Sequence, residues 1–446
     1  MLIPTTDNPR SLSHRLFGFS AADGTRCRPM ALPFTGCRVP HAVLEVNQEC
    51  NMSCRACYKR HDRFSKPMDQ ILTEVELLLQ KRQLTAITLA GGEPTLHPEL
   101  PKVIQLLRER RLTVMMLSNG VNLDDKRLAA YRAAGLSQIL LHVDCGQKRP
   151  GHPRARTEGE LHELRRTLSE RISRHGLKCS LAVTLYRRAL PELMDMVRFV
   201  ITTPSIAGAL FTCCSDPQRA AVAFRGGLVL GNRYPGFQER TGLPPEQALL
   251  DSELQAQCVK LVEPQELLRR QGCEPFAMIP SNLAPRSPRW LQYYIFSIRE
   301  PGGRWTSLPV SVRFQNLARL FYAFSAWLRI PNRFITAYST KRCIVVLLLY
   351  ALSCGSLRDA WAALRFLALL IKPGCSIQHK SLVFQQFPTV TSAGELEHCL
   401  DCPDATVRHG RLVPVCMADC LDPLSVDGEG SMSTKNLHSL QPTLHQ

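Results

Sequence analysis

From His41 onwards the sequence alternates short apolar runs with amphipathic segments, and this alternation constrains the fold more than any other feature. It is typical of repeated β-α units that build a parallel sheet. We predict six strands, at 42–46, 86–89, 113–117, 138–143, 180–185 and 209–212. Parallel strands joined by right-handed crossovers close into a full or partial barrel, and the loops at their carboxyl ends then meet at one site. The sequence therefore predicts an α/β fold with a partial (β/α)6 barrel.

The composition is that of a folded chain. Of its 446 residues 45% are hydrophobic and 21% are charged, which excludes an intrinsically disordered or collagen-like chain. This length is typical of two or three domains, enough to bury a large core around a cofactor. Composition shifts divide the chain into an irregular lead-in (1–40), the β-α core (41–215), a connecting region (216–300), a basic helical segment (301–372), a cysteine-rich hairpin domain (373–423) and a disordered tail (424–446).

The sequence shows no pattern typical of membrane insertion or export. Its longest apolar run, 343–352, has ten residues, whereas a membrane-spanning helix needs roughly 20. The first fifteen residues have no apolar stretch after their charges, which argues against a signal peptide. We therefore expect a cytoplasmic protein. In a reducing compartment its 18 cysteines favour metal or redox chemistry over disulfides.

Three cysteines follow the first predicted strand, Cys50, Cys54 and Cys57. Thiolates are soft ligands that suit iron-sulfur clusters, and this spacing lets one loop hold three corners of a four-iron cluster. The fourth iron then has an open position, where a substrate can bind. The alternatives are a zinc knuckle that lacks its fourth ligand and a chance grouping, although structural zinc normally takes four ligands.

The second predicted strand ends in Gly91-Gly92-Glu93-Pro94. Two glycines allow the backbone to approach a ligand closely, and the Glu93 carboxylate suits a ligand ammonium group. The same four residues could form an ordinary turn. Thirty-three residues separate them from the third cysteine, and they lie between a predicted strand and a predicted helix. This position favours a binding loop.

Polar side chains also follow the next two predicted strands. Ser118 and Asn119 end the third strand, and hydroxyl and amide groups suit sugar hydroxyls, although Asn-Gly is also common in turns. Asp144 ends the fourth strand, after His142. We expect these groups to point to the same mouth, with a buried and fully hydrogen-bonded His142 as the alternative.

Together, the cysteine spacing and the Gly-Gly-Glu-Pro loop resemble the radical S-adenosylmethionine (radical SAM) superfamily over about residues 41–215. The resemblance implies that Cys50, Cys54 and Cys57 hold a 4Fe-4S cluster whose open iron binds S-adenosylmethionine. It also implies that Gly91, Gly92, Glu93, Pro94, Ser118, Asn119 and Asp144 contact this cofactor. An electron from a donor such as flavodoxin or ferredoxin would then generate a 5′-deoxyadenosyl radical, which abstracts hydrogen from the substrate.

One position departs from many members of the superfamily, which have an aromatic residue just before the third cysteine. Here that residue is Ala56, and Tyr58 follows the cysteine instead. The arrangement is similar to radical enzymes that act on archaeal lipids and to certain pterin methyltransferases.

A second group of cysteines, Cys399, Cys402, Cys416 and Cys420, lies near the carboxyl end. A hairpin around Gly410 could bring the two pairs together. Zinc and an iron-sulfur cluster both suit four thiolates. The cysteine order resembles a truncated form of the auxiliary-cluster (SPASM-type) extensions of many radical SAM enzymes, which favours one auxiliary cluster and implies an oxygen-sensitive protein.

Residues 301–372 contain ten Lys and Arg but a single acid, Asp359, interleaved with aromatic residues. Such a segment could contact an anionic membrane surface, bind nucleic acid, or form an ordinary helical subdomain; nucleic acid is the least favoured. A lipid or other hydrophobic small molecule is accordingly the leading substrate, and a peptide is the second. The alternative to an enzyme is a non-catalytic module that binds zinc or an iron-sulfur cluster.

Overall fold

The computed structural model describes residues 28–59, 63–150, 155–215, 254, 256–310, 314–332, 340–353, 357–390, 396–408 and 410–421. Its centre is an 11-stranded mixed sheet. The strands are β1 (Met30–Ala31), β2 (His41–Glu45), β3 (Ala86–Ala90), β4 (Thr113–Ser118), β5 (Leu136–His142), β6 (Lys178–Leu185), β7 (Ile206–Cys213), β8 (Ala277–Pro280), β9 (Pro288–Arg299), β10 (Trp305–Pro309) and β11 (Ser376–Gln386).

All six predicted strands are confirmed, as β2 to β7. They lie side by side in chain order, and every neighbouring pair among them is parallel. The intervening helices are α1 (Met68–Lys81), α2 (Leu100–Glu109), α3 (Asp125–Ala134), α4 (His162–Arg174) and α5 (Leu193–Thr202). Their apolar residues pack on the sheet to form the main core. The parallel α/β fold expected of a radical SAM partial barrel is therefore present.

The sheet continues beyond the six predicted strands. β11 pairs parallel with β7, β9 pairs antiparallel with β11, and β8 pairs antiparallel with β9. β1 adds a short parallel pair to β8, and β10 pairs with the far end of β9. Strands from three separate parts of the chain thus complete one sheet.

Three predicted boundaries differ from the structure. The lead-in contributes β1, the region predicted as a connection (216–300) contains helix α6 (Val262–Arg270) as well as β8 and β9, and β11 belongs to the sheet rather than to the cysteine-rich domain. β9 escapes a period-2 search because the sheet and the helices bury most of its residues on both faces. The predicted tail, 424–446, lies outside the described residues.

The described part of the basic segment is mainly helical beyond Phe314, as predicted. It contains α7 (Gln315–Trp327), α8 (Thr340–Ser353) and α9 (Leu357–Ala368). Tyr350 and Phe366 of α8 and α9 pack in a second core with Phe296 and Ile298 of β9. No helix in the described part of the chain is both long enough and apolar enough to span a bilayer.

The carboxyl-terminal hairpin, Ala405–Arg408 with Arg411–Pro414, lies along β2. At one end of β2 the His41 ring pairs with Asp404 at 3.2 Å, and at the other end Glu45 pairs with Arg408. Cys399 and Cys402 pack with Val39 beside β2 and with Ile279 and Trp290 of β8 and β9. This segment therefore fills the space between the two edges of the curved sheet.

Candidate active site

A single cavity of about 180 Å³ lies at the carboxyl ends of the parallel strands. Its wall brings together the three loops predicted from sequence. The predicted residues that line it are Cys50, Cys54, Cys57, Gly91, Gly92, Glu93, Ser118 and Asn119. Two other predicted residues, Pro94 and Asp144, are not among the lining residues. Pro94 is buried at the start of a short helix behind the wall, and Asp144 also lies behind the wall.

The cysteine loop is fixed by the loop that follows β5. Ser53–Cys54 pairs antiparallel with Gln147–Lys148, and the Arg55 N–H donates to the Gly146 carbonyl at 3.1 Å. Within the loop, the Cys57 N–H donates to the Cys54 carbonyl at 3.2 Å. Contacts between two distant segments therefore fix the position of the cysteine loop.

Gly91 and Gly92 lie close to the protein's own backbone, a contact that the sequence did not predict. A Cβ on Gly91 would lie 2.2 Å from the Asn47 carbonyl oxygen, and one on Gly92 would lie 2.1 Å from the Glu49 carbonyl oxygen. The Gly92 and Glu93 N–H groups donate to the same two carbonyls, at 3.2 and 2.8 Å. The close approach that requires glycine is thus to the backbone just before Cys50, and not only to a ligand.

Glu93 is fully buried and joins the β3 and β4 loops. Its Oε1 accepts hydrogen bonds from the Thr95 N–H and hydroxyl and from the Ser118 hydroxyl, the last at 2.8 Å. Its Oε2 accepts one, from the Asn119 N–H at 2.7 Å. Burial raises the pKa of Glu93 in spite of these bonds. The carboxylate is therefore already oriented, and Oε2 retains capacity for another donor.

Asn119 connects the β4 loop to the cysteine loop. Its Nδ2 donates to Asn51 Oδ1 at 2.7 Å and lies 3.9 Å from the Cys50 sulfur, while its Oδ1 accepts from the Val121 N–H. The Ser118 hydroxyl, besides donating to Glu93, accepts from the Gly120 N–H at 3.1 Å. Both predicted side chains thus lie at the cavity and also organise it.

At the fourth strand, His142 lines the cavity and Asp144 supports it from behind. Asp144 Oδ2 pairs with His142 Nε2 at 2.8 Å and accepts from the Thr184 N–H, and Oδ1 accepts from the Gly146 N–H. Burial would raise the pKa of Asp144, but the His142 ring and these hydrogen bonds hold it below its usual value. An ionised carboxylate therefore fixes the orientation of the imidazole that reaches the cavity.

The thiols are partly buried, and burial changes their acidity. Burial raises the pKa of Cys50 to about 11 and that of Cys54 well above its ordinary value. Metal binding at such thiols releases protons, because the ligand is the thiolate. Among the described residues no three His, Cys, Asp or Glu side chains converge on one point that could hold a single ion. A four-iron cluster has no such requirement, since each thiolate binds its own iron.

A buried network of charges lies directly beside the cysteine loop. The Lys59 ammonium pairs with Glu45 at the end of β2 and with Asp419 at 2.8 Å. Arg408 of the hairpin pairs with the same two carboxylates. All four side chains are almost inaccessible to solvent. The network joins the first strand, the loop of Cys57 and the carboxyl-terminal segment.

The predicted hairpin of the carboxyl-terminal cysteines is present. Its base brings residues 402–404 next to 415–417, where the Val415 N–H donates to the Asp404 carbonyl at 2.8 Å. Cys399 and Cys402 are buried neighbours, and their interaction raises the pKa of Cys402. Cys416 lies in the short helical turn that follows, and Cys420 lies in the helix Ala418–Leu421.

Sequence analysis missed several residues that shape the site. Asn51 holds Asn119, and the buried Arg149 donates to the Asn119 carbonyl at 2.7 Å. Lys59 belongs to the charge network described above. The Asn that follows Cys50 was visible in the cysteine motif, but Arg149 and Lys59 act through partners far away in the sequence and leave no local signal.

Comparisons with known proteins agree with this fold. Residues 44–200 match the family model of the Radical SAM superfamily. A 7,8-dihydro-6-hydroxymethylpterin dimethyltransferase of Methanocaldococcus jannaschii is 29% identical over 116 residues, which cover 24% of this chain and 23% of that protein. An S-adenosylmethionine-dependent nucleotide dehydratase of a Thermoplasmatales archaeon is 27% identical over 150 residues, 33% of this chain and 53% of that protein. The chain thus spans from about a quarter to about half of these relatives.

Among solved structures, Streptococcus suis SuiB bound to S-adenosylmethionine is similar over 39% of this chain and 40% of that chain. The sequence identity is 14% and the TM-score is 0.32. A likeness of this degree supports no argument about function.

Proposed function

We propose that this chain holds a 4Fe-4S cluster on Cys50, Cys54 and Cys57 and binds S-adenosylmethionine beside it. The chain carries a radical SAM domain and belongs to that superfamily. The observation that carries the proposal is the single cavity lined by these thiols, by Gly91 to Glu93 and by Ser118 and Asn119. The wall contains three soft sulfur donors, and the carboxylates among its lining residues are Glu93 and Asp404 alone. Such a lining suits iron-sulfur rather than hard-metal chemistry.

When bound, the cluster and S-adenosylmethionine supply a 5′-deoxyadenosyl radical that abstracts hydrogen from the substrate. The chain itself binds and orients. Glu93 Oε2 accepts from the cofactor ammonium, since it is the carboxylate oxygen with one protein donor. Asn119 and Ser118 lie where ribose hydroxyls would be recognised, and His142, fixed by Asp144, faces the same space. Val43, Leu117 and Val183 in the wall help to exclude water.

A test removes one thiol. Cys54→Ser should lose the 4Fe-4S cluster and abolish release of 5′-deoxyadenosine, because serine is a poor ligand for a site built for three thiolates. Iron content and nucleoside release are measured on anaerobically reconstituted, reduced protein with S-adenosylmethionine.

The matched control is Cys37→Ser, since Cys37 is exposed and away from the cavity. It should retain both the iron and the activity. Normal nucleoside release from the Cys54 variant would overturn the assignment of the ligands. Iron in the unaltered chain also tests the auxiliary cluster that we propose at Cys399, Cys402, Cys416 and Cys420, because two clusters hold twice the iron of one.

We further propose a lipid or other hydrophobic substrate, contact with an anionic membrane surface, and reduction by a flavodoxin or ferredoxin. The hydrophobic substrate and the membrane contact are supported by the outer face of α7, where Phe321, Phe324 and Trp327 are 65%, 57% and 75% exposed. Apolar patches of this kind mark contact sites. Arg319 and Arg329 are exposed on or next to the same helix, and cations beside apolar side chains suit anionic headgroups.

Vesicle binding checks the membrane contact. The variant Phe324→Ser/Trp327→Ser should lose at least about tenfold in affinity for phosphatidylglycerol-containing vesicles, since burial of two aromatic side chains is worth roughly 1.5–3 kcal/mol each. Co-sedimentation at two salt concentrations measures it. Val262→Ser is the control, because Val262 is 60% exposed but lies on α6. Equal binding of all three proteins would refute the contact.

A further inference from the structure

A second cavity, of about 110 Å³, lies inside the curved sheet. Nearly every strand of the main sheet contributes a side chain to its wall, from His41 on β2 through Gln138 on β5 to Ser381 on β11 and Trp290 on β9. It is therefore a chamber on the concave face of the sheet, separate from the three cysteines.

The chamber adjoins the cofactor cavity. Thr88, Leu140, Leu210 and Asp404 line both spaces. A single layer of side chains thus separates the interior of the sheet from the place where a hydrogen atom would be removed. A ligand that occupies the chamber can present one end at the cofactor cavity.

The other side of the chamber is formed by the apolar outer helix. Tyr322 of α7 lines the chamber, and its sequence neighbours Phe321 and Phe324 are exposed on the same helix. Leu32 and Phe34, which precede β2, complete this part of the wall. One helix therefore presents apolar residues both to the chamber and to the exterior.

The wall indicates the chemistry of the occupant. Its ionisable side chains are His41 and Asp404, which pair with each other at 3.2 Å. The remaining polar groups mostly satisfy one another, as Gln138 Nε2 does by donating to Ser180 Oγ at 2.9 Å. A mainly apolar wall that carries no uncompensated charge suits a neutral, mainly apolar ligand.

We propose that this chamber binds a compact, neutral, mainly apolar portion of the substrate, which reaches the cofactor cavity past Thr88, Leu140 and Leu210. The proposed function is needed to say which end of the ligand reacts, whereas binding of the ligand in the chamber does not depend on it. Apolar chambers of this kind take up hydrocarbon because their walls are poorly hydrated.

Photolabelling of the full-length, anaerobically purified protein tests the proposal. The probe is butanol with a diazirine on its chain, and the labelled residues are located by mass spectrometry. Saturable labelling of residues that line the chamber alone, such as Met115 and Ile279, displaced by excess butanol, is the expected result. Labelling confined to the exposed residues of α7 to α9, or no labelling, would overturn it.

A variant provides the second measurement. Ala209 lines the chamber but not the cofactor cavity, so Ala209→Phe fills the space and should lose most of the chamber labelling. Ala323→Phe, on the exposed side of α7, is the matched control and should label normally. If the Ala209 variant does not fold, the positions labelled in the unaltered chain still test whether the chamber binds the probe. Absence of chamber labelling from an unaltered protein that still releases the nucleoside would refute the chamber alone, whereas absence of nucleoside release from the unaltered protein would refute the proposed function.

Discussion

Replacing Lys59 by methionine should lower the free energy of unfolding by about 3–5 kcal/mol, the usual cost of leaving one partner of a buried ion pair uncompensated. Lys59 is 4% exposed, and its ammonium pairs with Glu45 and Asp419. Burial alone lowers the pKa of Lys59, but the two carboxylates more than offset this and raise it. In the variant, Arg408 alone would face both carboxylates.

Urea unfolding under anaerobic conditions measures this effect. Lys102→Met is the control, because the ammonium of Lys102 pairs with Glu99 at 2.7 Å on the surface and its loss should change stability little. A double variant, Lys59→Met with Glu45→Leu, should recover part of the loss, since it leaves one cation, Arg408, facing one carboxylate, Asp419. If Lys59→Met unfolded at the same urea concentration as the Lys102 variant, the network would have no structural role.

The same variant should weaken the cysteine loop. Lys59 is two residues beyond Cys57, and Asp419 adjoins the cysteines at the carboxyl end. Through this network the carboxyl-terminal segment and the cluster loop support each other. That coupling accounts for a cysteine-rich extension that packs against β2 rather than forming a separate unit.

The part of the fold that sequence predicted is the part with local periodicity. β2 to β7 recur with helices between them, and each repeat contains its own pattern. β9 and β11 lack that pattern because most of their residues are buried on both faces of the sheet, and they pair with each other across a long stretch of chain. The Lys59–Asp419 contact joins residues 360 positions apart, and no spacing rule reaches across such a distance.

The site shows the same limit at the level of single residues. Residue types and loop positions predicted that Cys50, Glu93 and Asn119 would meet, and they do. Their hydrogen-bond partners were not predictable, because the sequence Gly-Gly-Glu is the same whether its carboxylate contacts a ligand or the protein itself. Asp144 illustrates the difference, since the loop position was predicted but the residue that reaches the cavity is His142.

Gly92→Ala should abolish incorporation of the cluster. A Cβ at this position would lie 2.1 Å from the Glu49 carbonyl oxygen and 2.4 Å from that of Gln48, and both neighbours are backbone atoms that cannot rotate away. Overpacking typically costs about 1–3 kcal/mol. The strain is relieved only if residues 48–49 move, and such a movement carries Cys50 with it. The hydrogen bond from the Glu93 N–H to Glu49 would lengthen as well.

This substitution separates steric contact from backbone conformation. Gly91 has a φ of 142°, where any side chain adds backbone strain, whereas Gly92 has no such angle, so alanine at Gly92 tests the contact alone. Gly159→Ala is the matched control, because the nearest atom to its added Cβ is 3.9 Å away. Iron per chain and 5′-deoxyadenosine release are measured on both. Unchanged iron in the Gly92 variant would mean that the β3 loop does not set the position of Cys50, and the cavity would then owe its shape to the contact of Ser53–Cys54 with Gln147–Lys148 instead.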